Sequence, residues 1–353
     1  MSVIQSKQKL LSWFQTFKRD LPWRQTHDPY FIWLSEVILQ QTRIDQGMPY
    51  YQRFVERFPT VFDLAEASED EVLKHWQGLG YYNRARNLHH TAKVIAGTYH
   101  GTFPDDYERI RQLKGIGEYT AAAIASMAFD LPYVVVDGNV NRVMARLFGI
   151  QEPINTTAGK KAVKARAQEL LDHEAPGNFN EALMDFGAIQ CTATQPKCGI
   201  CPLQADCYAF NHNQTAVLPR KEKKVKRRPR YFYYLVPAND QGLVIRQRGT
   251  DDIWQRMFDF PLIEHQPGES FATEELLELI PSPEGNPTYL GRYNHVLTHR
   301  DIFAEFYVIN SFGLGNISHN FIFVSWSELS NYAVPRLIDR FLKDNMDSLI
   351  IQS

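Results

Sequence analysis

All four cysteines of this 353-residue chain fall between positions 191 and 207. Their spacing is C-x6-C-x2-C-x5-C, with the members Cys191, Cys198, Cys201 and Cys207. Proteins hold an iron–sulfur cluster or a zinc ion with a short loop that gathers four thiolates around one point. Disulfides or free thiols are weaker alternatives, because two disulfides in so short a stretch would be an unusual use of cysteine in a chain with a full-sized core. The sequence therefore predicts a four-thiolate metal site, and the spacing alone leaves iron–sulfur and zinc open.

The length and composition are those of an ordinary globular protein. A chain of 353 residues suggests two domains, and 44% hydrophobic with 22% charged residues is a typical balance. No apolar run approaches the roughly 20 residues that a bilayer span requires, and the N-terminus lacks the pattern of a secretory signal. Few cysteines and a thiolate cluster fit a reducing compartment. We therefore expect a cytoplasmic protein with no membrane partner.

The texture of the sequence changes near residue 230. Up to about residue 210 the apolar spacing predicts helix after helix, including Glu69 to Trp76, Glu118 to Phe129 and Phe179 to Ile189. Aromatic and β-branched runs follow, and the first two, around a turn at 238–242, predict a hairpin. Eight basic residues lie in the segment 220–230, which we interpret as a linker that also contacts phosphates. The predicted division is 1–210, a basic linker 211–230, and an α+β domain 231–353.

A glycine-x-glycine turn, Gly115 and Gly117, lies between two predicted helices. Glycines let such a turn expose backbone N–H groups at a helix N-terminus, where a DNA phosphate binds without sequence being read. A tight helix–helix corner is the alternative explanation.

Two carboxylates stand in unlike surroundings. Glu36 is flanked by apolar helix positions, and burial on such a face raises a carboxyl pKa towards that of a general acid. Asp137 lies where an apolar segment meets a new helix, so it is either an N-cap or an anion at the mouth of a pocket. One ionised and one protonatable acid are the arrangement that cleaves a glycosidic bond.

These motifs together resemble the helix–hairpin–helix superfamily of DNA glycosylases, and more narrowly the adenine DNA glycosylases of MutY type. The resemblance covers about Leu21 to Cys207. The matching stretches are Leu21-Pro-Trp-Arg24, Ser35-Glu-Val-Ile-Leu-Gln-Gln-Thr42, Gln77-Gly-Leu-Gly-Tyr-Tyr82, Leu113 to Ala121, Val136-Asp-Gly-Asn-Val140, Asn180-Glu-Ala-Leu183 and the cysteine loop. It implies a mainly α helix–hairpin–helix glycosylase domain with one [4Fe-4S] cluster per chain, and not zinc.

The resemblance also implies roles for individual residues. Glu36 would protonate the flipped adenine and Asp137 would stabilise the sugar cation. The supporting hydrogen bonds would come from Tyr119 and Asn139 at the catalytic centre and from Arg24 and Glu181 in the adenine pocket. Residues implied to contact DNA are Gln41, Thr42, Leu79, Tyr81, Gly115 and Gly117. Gln41 as a helix-surface residue and Tyr81 as a core aromatic are the plainer alternatives.

Tyr119 separates two chemistries within the superfamily. The endonuclease III branch carries a lysine at this position, two residues past the second glycine of the turn. A tyrosine forms no Schiff base with the sugar, so a glycosylase without lyase activity is expected. Lys114, one residue before Gly115, is at best a backbone contact.

The second domain resembles the family's C-terminal domain of Nudix fold. The segment 267–280 holds Glu269, Glu274, Glu275 and Glu278 but lacks the Arg-Glu pair of a Nudix metal-binding helix. It is therefore interpreted as a lesion-recognition module. Its implied readers of 8-oxoguanine are Thr298 and His299, preceded by a leucine where the family has phenylalanine. Ordinary surface residues at the end of a strand are the plainer alternative.

The expected function is the release of adenine opposite 8-oxoguanine or guanine in double-stranded DNA, by a monomer in the bacterial cytoplasm and nucleoid. Three rivals remain open. They are an endonuclease III-like pyrimidine glycosylase/lyase, a catalytically silent iron–sulfur DNA-binding protein, and a nucleotide-pyrophosphate hydrolase in residues 231 to 353.

Overall fold

A computed structural model describes most of the chain. The described residues are 3–222, 227–266, 269, 272, 274–279, 283–284, 286–297, 299–312 and 321–351. They form two compact units, of which the first comprises Met1–Glu66 and Asn87–Lys224 and the second Ala67–Arg86 and Val225–Ser353. The segment Ala67–Arg86 thus groups with the second unit. The division at residues 210 and 230 stays a prediction. Among the described helices, none has the length and apolarity that a bilayer crossing requires.

The first unit is helical, as predicted. Its helices, together with those of Ala67–Arg86, are α1 Val3–Phe17, α2 Pro29–Ile38, α3 Ile44–Arg57, α4 Val61–Glu66, α5 Glu69–Trp76, α6 Asn83–Thr98, α7 Tyr107–Gln112, α8 Glu118–Phe129, α9 Gly138–Phe148, α10 Thr157–Leu170, α11 Pro176–Asp185 and α12 Tyr208–Asn211. A π-helical turn, Phe186–Gln190, continues α11. The predicted bounds of α5 and α8 are confirmed to the residue.

Helices α2 and α8 carry two of the predicted site residues, Glu36 and Tyr119, and most of their other side chains are apolar and buried. Helix α2 is capped by Asp28, whose carboxylate accepts the Tyr30 N–H, and it begins with Pro29. Helix α8 is buried along most of its length and packs against α2. A polar side chain on the shared face is therefore held in a fixed position.

The second unit is α+β, also as predicted. Its strands are β1 Arg228–Pro237, β2 Gly242–Gln247, β3 Phe258–Asp259, β4 Leu262–His265, β5 Pro283–Glu284, β6 Thr288–Val296, β7 Arg300–Ile309, β8 Ser311–Phe312 and β9 Phe321–Ser325, with helices α13 Glu274–Leu277 and α14 Arg336–Ile351. One sheet has the order β4-β1-β7-β6, a second has the order β3-β2-β9, and β5 pairs with β8. Helix α14 covers the core, where the Phe341 ring stacks on that of Phe306 with centroids 3.9 Å apart.

The predicted hairpin of β1 and β2 is wrong. Strand β1 is paired on one edge with β4 and on the other, in parallel, with β7. Both edges of β1 are thus occupied, and β2 instead pairs with β3 and β9 in the second sheet. A single bridge, Ala238 to Leu243, is what remains of the hairpin.

Candidate active site and iron–sulfur loop

A cleft of about 870 Å³ in the first unit brings together the two predicted acids. It is lined by residues of the segment before α2, by residues at or next to the ends of α2, α3, α8 and α9, and by Met184 of α11. The predicted site residues on its wall are Arg24, Glu36, Gln41, Thr42, Tyr119, Asp137 and Asn139. Its size is in the range of a small-molecule or cofactor site.

Glu36 is the buried acid of this cleft. It is 9% exposed on the apolar face of α2, and among the described residues it forms no ion pair. Burial raises its pKa from the ordinary 4.5 to about 7. A hydrogen bond from Tyr119 and the charge of Arg24 lower the pKa, while the carboxylates of Asp137 and Glu181 raise it. A carboxyl with this pKa holds a proton near neutral pH, as a general acid must.

Asp137 is an N-cap and a cleft residue at once, so both interpretations of the sequence hold for its position. Its carboxylate accepts the Val140 N–H at 2.7 Å and the Asn139 side-chain amide at 2.8 Å. Burial raises the pKa of Asp137, and these donors oppose the rise. Donors aimed at a carboxylate favour its ionised form.

Tyr119 stands in the first turn of α8, where it faces both acids. Burial and the charges of Glu36 and Asp137 raise the pKa of the Tyr119 phenol well above its ordinary value. Its hydroxyl also contacts the Met184 sulfur at 3.7 Å. A permanently protonated phenol donates hydrogen bonds but supplies no amine for attack on a sugar.

Arg24 and Glu181 face each other with 3.4 Å between the arginine Nε and a glutamate oxygen. Two further residues, which the sequence analysis missed, complete this group. The Asp185 carboxylate accepts hydrogen bonds from the Arg24 terminal nitrogens at 2.8 and 3.0 Å. It also accepts the Arg19 Nε at 2.8 Å. The two arginines lie more than 160 positions from Asp185 in the chain, and no local motif links them.

Arg142 and Gly187 were also missed. The Arg142 guanidinium donates to the Asn139 carboxamide oxygen at 2.9 Å, to the Cys191 carbonyl at 2.7 Å and to the Gly187 carbonyl at 2.6 Å. A Cβ on Gly187 would lie 2.6 Å from that of Asn139. Gly187 thus allows the π-helical turn to approach the residue that holds Asp137. A glycine inside a predicted helix was the available signal.

The glycine turn has the predicted layout of helix, turn and helix. Gly115 has φ +84°, and Gly117 is the N-cap of α8. A Cβ on Gly115 would lie 2.6 Å from the Asn87 Cβ, so both the backbone conformation and the space require glycine there.

The remaining predicted DNA contacts differ in exposure. Gln41 is exposed and has φ +58°, whereas Thr42 is half-buried. In the second unit Tyr81 is 46% exposed, with φ +50°, and Leu79 is buried. His299 is exposed, and Thr298 lies outside the described residues.

Comparison with known proteins identifies the family. The HhH-GPD superfamily of base excision DNA repair proteins matches residues 34–173, a NUDIX domain matches 232–344, and the iron–sulfur binding domain of endonuclease III matches 191–207. An adenine DNA glycosylase of Buchnera aphidicola (strain APS) is 30% identical over 96% of both chains. The mouse adenine DNA glycosylase is 31% identical over 96% of this chain and 77% of its own. The chain belongs to the adenine DNA glycosylase family.

Solved structures agree with this assignment at the level of the fold. A thermostable thymine-DNA glycosylase is 32% identical, with a TM-score of 0.55 over 60% of this chain and 97% of its own. A non-covalent endonuclease III–DNA complex is 23% identical, with a TM-score of 0.51 over 60% of this chain and 98% of its own. This member of the family is a DNA-binding base excision repair enzyme with the predicted helical and Nudix-like parts.

The four cysteines of the chain line one cavity, as predicted. Cys191 follows the π-helical turn, Cys198 begins a short 3₁₀ turn and Cys207 caps α12. The buried Arg146 guanidinium lies 3.5 Å from the Cys191 sulfur, which suits thiolates rather than neutral thiols. The loop holds a [4Fe-4S] cluster.

Proposed function

We propose that this enzyme excises adenine opposite 8-oxoguanine or guanine in double-stranded DNA, by hydrolysis and without strand cleavage. The observation that carries the proposal is the pair of acids in the cleft, Glu36 buried with a pKa of about 7 and Asp137 held by N–H donors. The relatives named adenine DNA glycosylases support the choice of base.

The reaction follows from the two protonation states. A base inside a duplex must leave the stack before an enzyme reaches its glycosidic bond. The Glu36 carboxyl gives its proton to a ring nitrogen of the extruded adenine, and the electron pair of the C–N bond then leaves with the base. The sugar cation is stabilised by the Asp137 carboxylate, and water adds to it after losing a proton to Glu36. The products are free adenine and an abasic site.

Tyr119 and Asn139 support this chemistry by hydrogen bonds. The Asn139 amide orients Asp137 at 2.8 Å, and the Tyr119 hydroxyl donates to Glu36. With tyrosine at the position where the lyase branch has lysine, no imine joins enzyme and sugar. Arg24 and Glu181 offer charged hydrogen-bonding groups to the adenine edge.

Recognition of the duplex is assigned to exposed and glycine-rich elements. The backbone of the Gly115–Gly117 turn holds a phosphate, and Gln41 and Thr42 contact the DNA beside the flipped nucleotide. Leu79 and the exposed Tyr81 are also assigned to the DNA-contacting segments of the chain. Thr298 and His299 read the opposite base. We further assign residues 1–210 to catalysis, 211–230 to a linker and 231–353 to lesion recognition, in a monomer that acts on DNA in the bacterial cytoplasm and nucleoid.

A strand-cleavage assay tests the proposal. Duplexes with adenine opposite 8-oxoguanine, guanine, thymine or cytosine are incubated with enzyme and divided into samples with and without alkali. We expect alkali-dependent cleavage for 8-oxoguanine and guanine, with Glu36→Gln as the inactive control. Cleavage without alkali, or a covalent adduct after borohydride reduction, would contradict the monofunctional mechanism.

A further inference from the structure

Asp185 is the most completely bonded buried acid of the first unit, and the proposed chemistry gives it no part. Its side chain is 0% exposed. Five nitrogens donate to it, namely the Arg19 backbone N–H, two nitrogens of the Arg19 guanidinium, and both terminal nitrogens of Arg24. A buried carboxylate with this many charged donors is a strong ionic anchor.

Arg24, which is bound to Asp185, also lines the cleft that contains Glu36. Its guanidinium lies over the Phe14 ring at 5.7 Å and donates to the Arg19 carbonyl at 3.3 Å. Both terminal nitrogens also donate to Asp185, and Nε faces Glu181. Arg24 nevertheless lines the cleft together with Glu36, and its charge reaches that acid.

An arginine beside a general acid lowers the pKa of that acid if the two side chains form an ion pair. If its fork paired with Glu36, the carboxylate would be fixed in the ionised form and could not donate a proton. In this structure both terminal nitrogens of Arg24 donate to Asp185, and Glu36 forms no ion pair among the described residues.

We propose that Asp185 is a positioning residue that holds the Arg24 guanidinium away from Glu36, so that Glu36 keeps the proton it donates to adenine. The inference rests on the proposed function. Asp185 touches neither substrate nor reacting atoms in this scheme and acts only through Arg24.

None of the other charged or hydrogen-bonding groups described around Glu36 is in a position to hold Arg24 as Asp185 does. Tyr119 on α8 donates to Glu36, while Asp137 before α9 and Glu181 on α11 are both acids. Arg43 and Asp45, at the start of α3, line the same cleft, and so does Arg19, which Asp185 also binds. The charge of Arg24 acts on Glu36, and Asp185 fixes the position of Arg24.

The test is the pH profile of single-turnover adenine release for Asp185→Asn. We expect the alkaline fall in activity to move to lower pH by about one unit, because the released Arg24 favours the Glu36 carboxylate. Adding Arg24→Met should move the fall back to the wild-type pH or above it. In Asp185→Glu, which keeps the negative charge, the alkaline fall in activity should occur close to the wild-type pH. A rate lowered by the same factor at every pH would show a merely structural role and overturn the proposal.

If Asp185→Asn does not fold, judged by the visible absorbance of the cluster and a thermal melt, Arg24→Lys decides instead. A lysine keeps the charge but cannot form the two-pronged contact with Asp185. The same acid shift is expected, and an unshifted profile overturns the proposal.

A readout that needs no catalysis separates this inference from the proposed function. The stability difference between Glu36→Gln and wild type reports the Glu36 pKa by proton linkage. In the Asp185→Asn background this difference at pH 8 should shrink. If the wild-type enzyme released no adenine but the stability difference still shrank in the Asp185→Asn background, the proposed function would be refuted and the positioning role would stand. If the stability difference did not change in that background, the positioning role would be refuted.

Discussion

Among the described residues, each unit of this protein buries an aspartate that holds two arginines, but the group in the first unit alone lies beside a buried acid with a raised pKa. In the first unit Asp185 holds Arg19 and Arg24. In the second unit Asp259, also 0% exposed, holds Arg246 at 3.0 Å and Arg248 at 2.6 Å.

The surroundings of the two groups differ. The second-unit cluster extends outward as a chain in which Asp252 and Glu264 are both paired with arginines. In the first unit the series of pairs ends at Glu181, 3.4 Å from Arg24, and Glu36 on an apolar helix face forms no ion pair among the described residues. Similar ion-pair chemistry is therefore found in both units, and in the proposed mechanism the unpaired carboxyl of the first unit is the one that acts in catalysis.

The sharpest contrast between the groups is catalytic. Glu36→Gln should lower single-turnover adenine release by about 10²- to 10⁴-fold, because the amide has no proton of suitable pKa to give. Binding to the mispaired duplex, measured by fluorescence anisotropy, should persist. The matched second-unit change, Asp259→Asn, should leave the rate per folded molecule unchanged. Comparable losses in both variants would remove the contrast.

The loss of folding stability should be larger for Asp259→Asn than for Glu36→Gln, which is the reverse of their order in catalytic rate. Asp259→Asn leaves buried arginine charge without its carboxylate, and we expect the free energy of unfolding to fall by about 3–5 kcal/mol in urea titrations. The exposed pair of Arg227 and Asp301, 3.6 Å apart, supplies the control. Asp301→Asn should cost less than about 1 kcal/mol. Equal costs at the two sites would contradict the account of the buried cluster.

Glu36 should itself destabilise the folded protein at high pH. Its folded pKa of about 7 exceeds its ordinary 4.5, so its contribution is fully present below pH 4.5 and is lost as the pH rises through 7. Glu36→Gln escapes this loss. We expect the variant to match wild type near pH 4.5 and to exceed it by on the order of 3 kcal/mol at pH 8 in denaturant titrations. A difference that did not change with pH would indicate an ordinary pKa.

Gly187 in the first unit and Gly242 in the second give the comparison with the smallest expected effects. A Cβ on Gly187 would press on Asn139, whereas one on Gly242 would lie 2.1 Å from the Val324 carbonyl in the second unit. Gly187→Ala should lower adenine release by about 10- to 100-fold, since it displaces the residue that orients Asp137. Gly242→Ala should destabilise by about 1–3 kcal/mol without changing the rate per folded molecule. Equal rates in the two variants would contradict the role given to Gly187.

Local patterns predicted the helices and the two acids, because each signal lies within one stretch of chain. The bounds of α5 and α8, the burial of Glu36 and the capping position of Asp137 all follow from nearby residues. The partner of β1 did not follow, since β7 lies some 70 positions later and pairs in parallel. Asp185 was missed for the same reason, because its arginines come from the far end of the domain.

The pH dependence of single-turnover adenine release by the wild-type enzyme, on a duplex with adenine opposite 8-oxoguanine, tests the central claim most directly. The account predicts a rate that falls about tenfold per pH unit above an apparent pKa near 7, because the ionised Glu36 carboxylate has no proton to donate. A rate that stayed constant from pH 6 to pH 9 would show that this acid does not supply the proton.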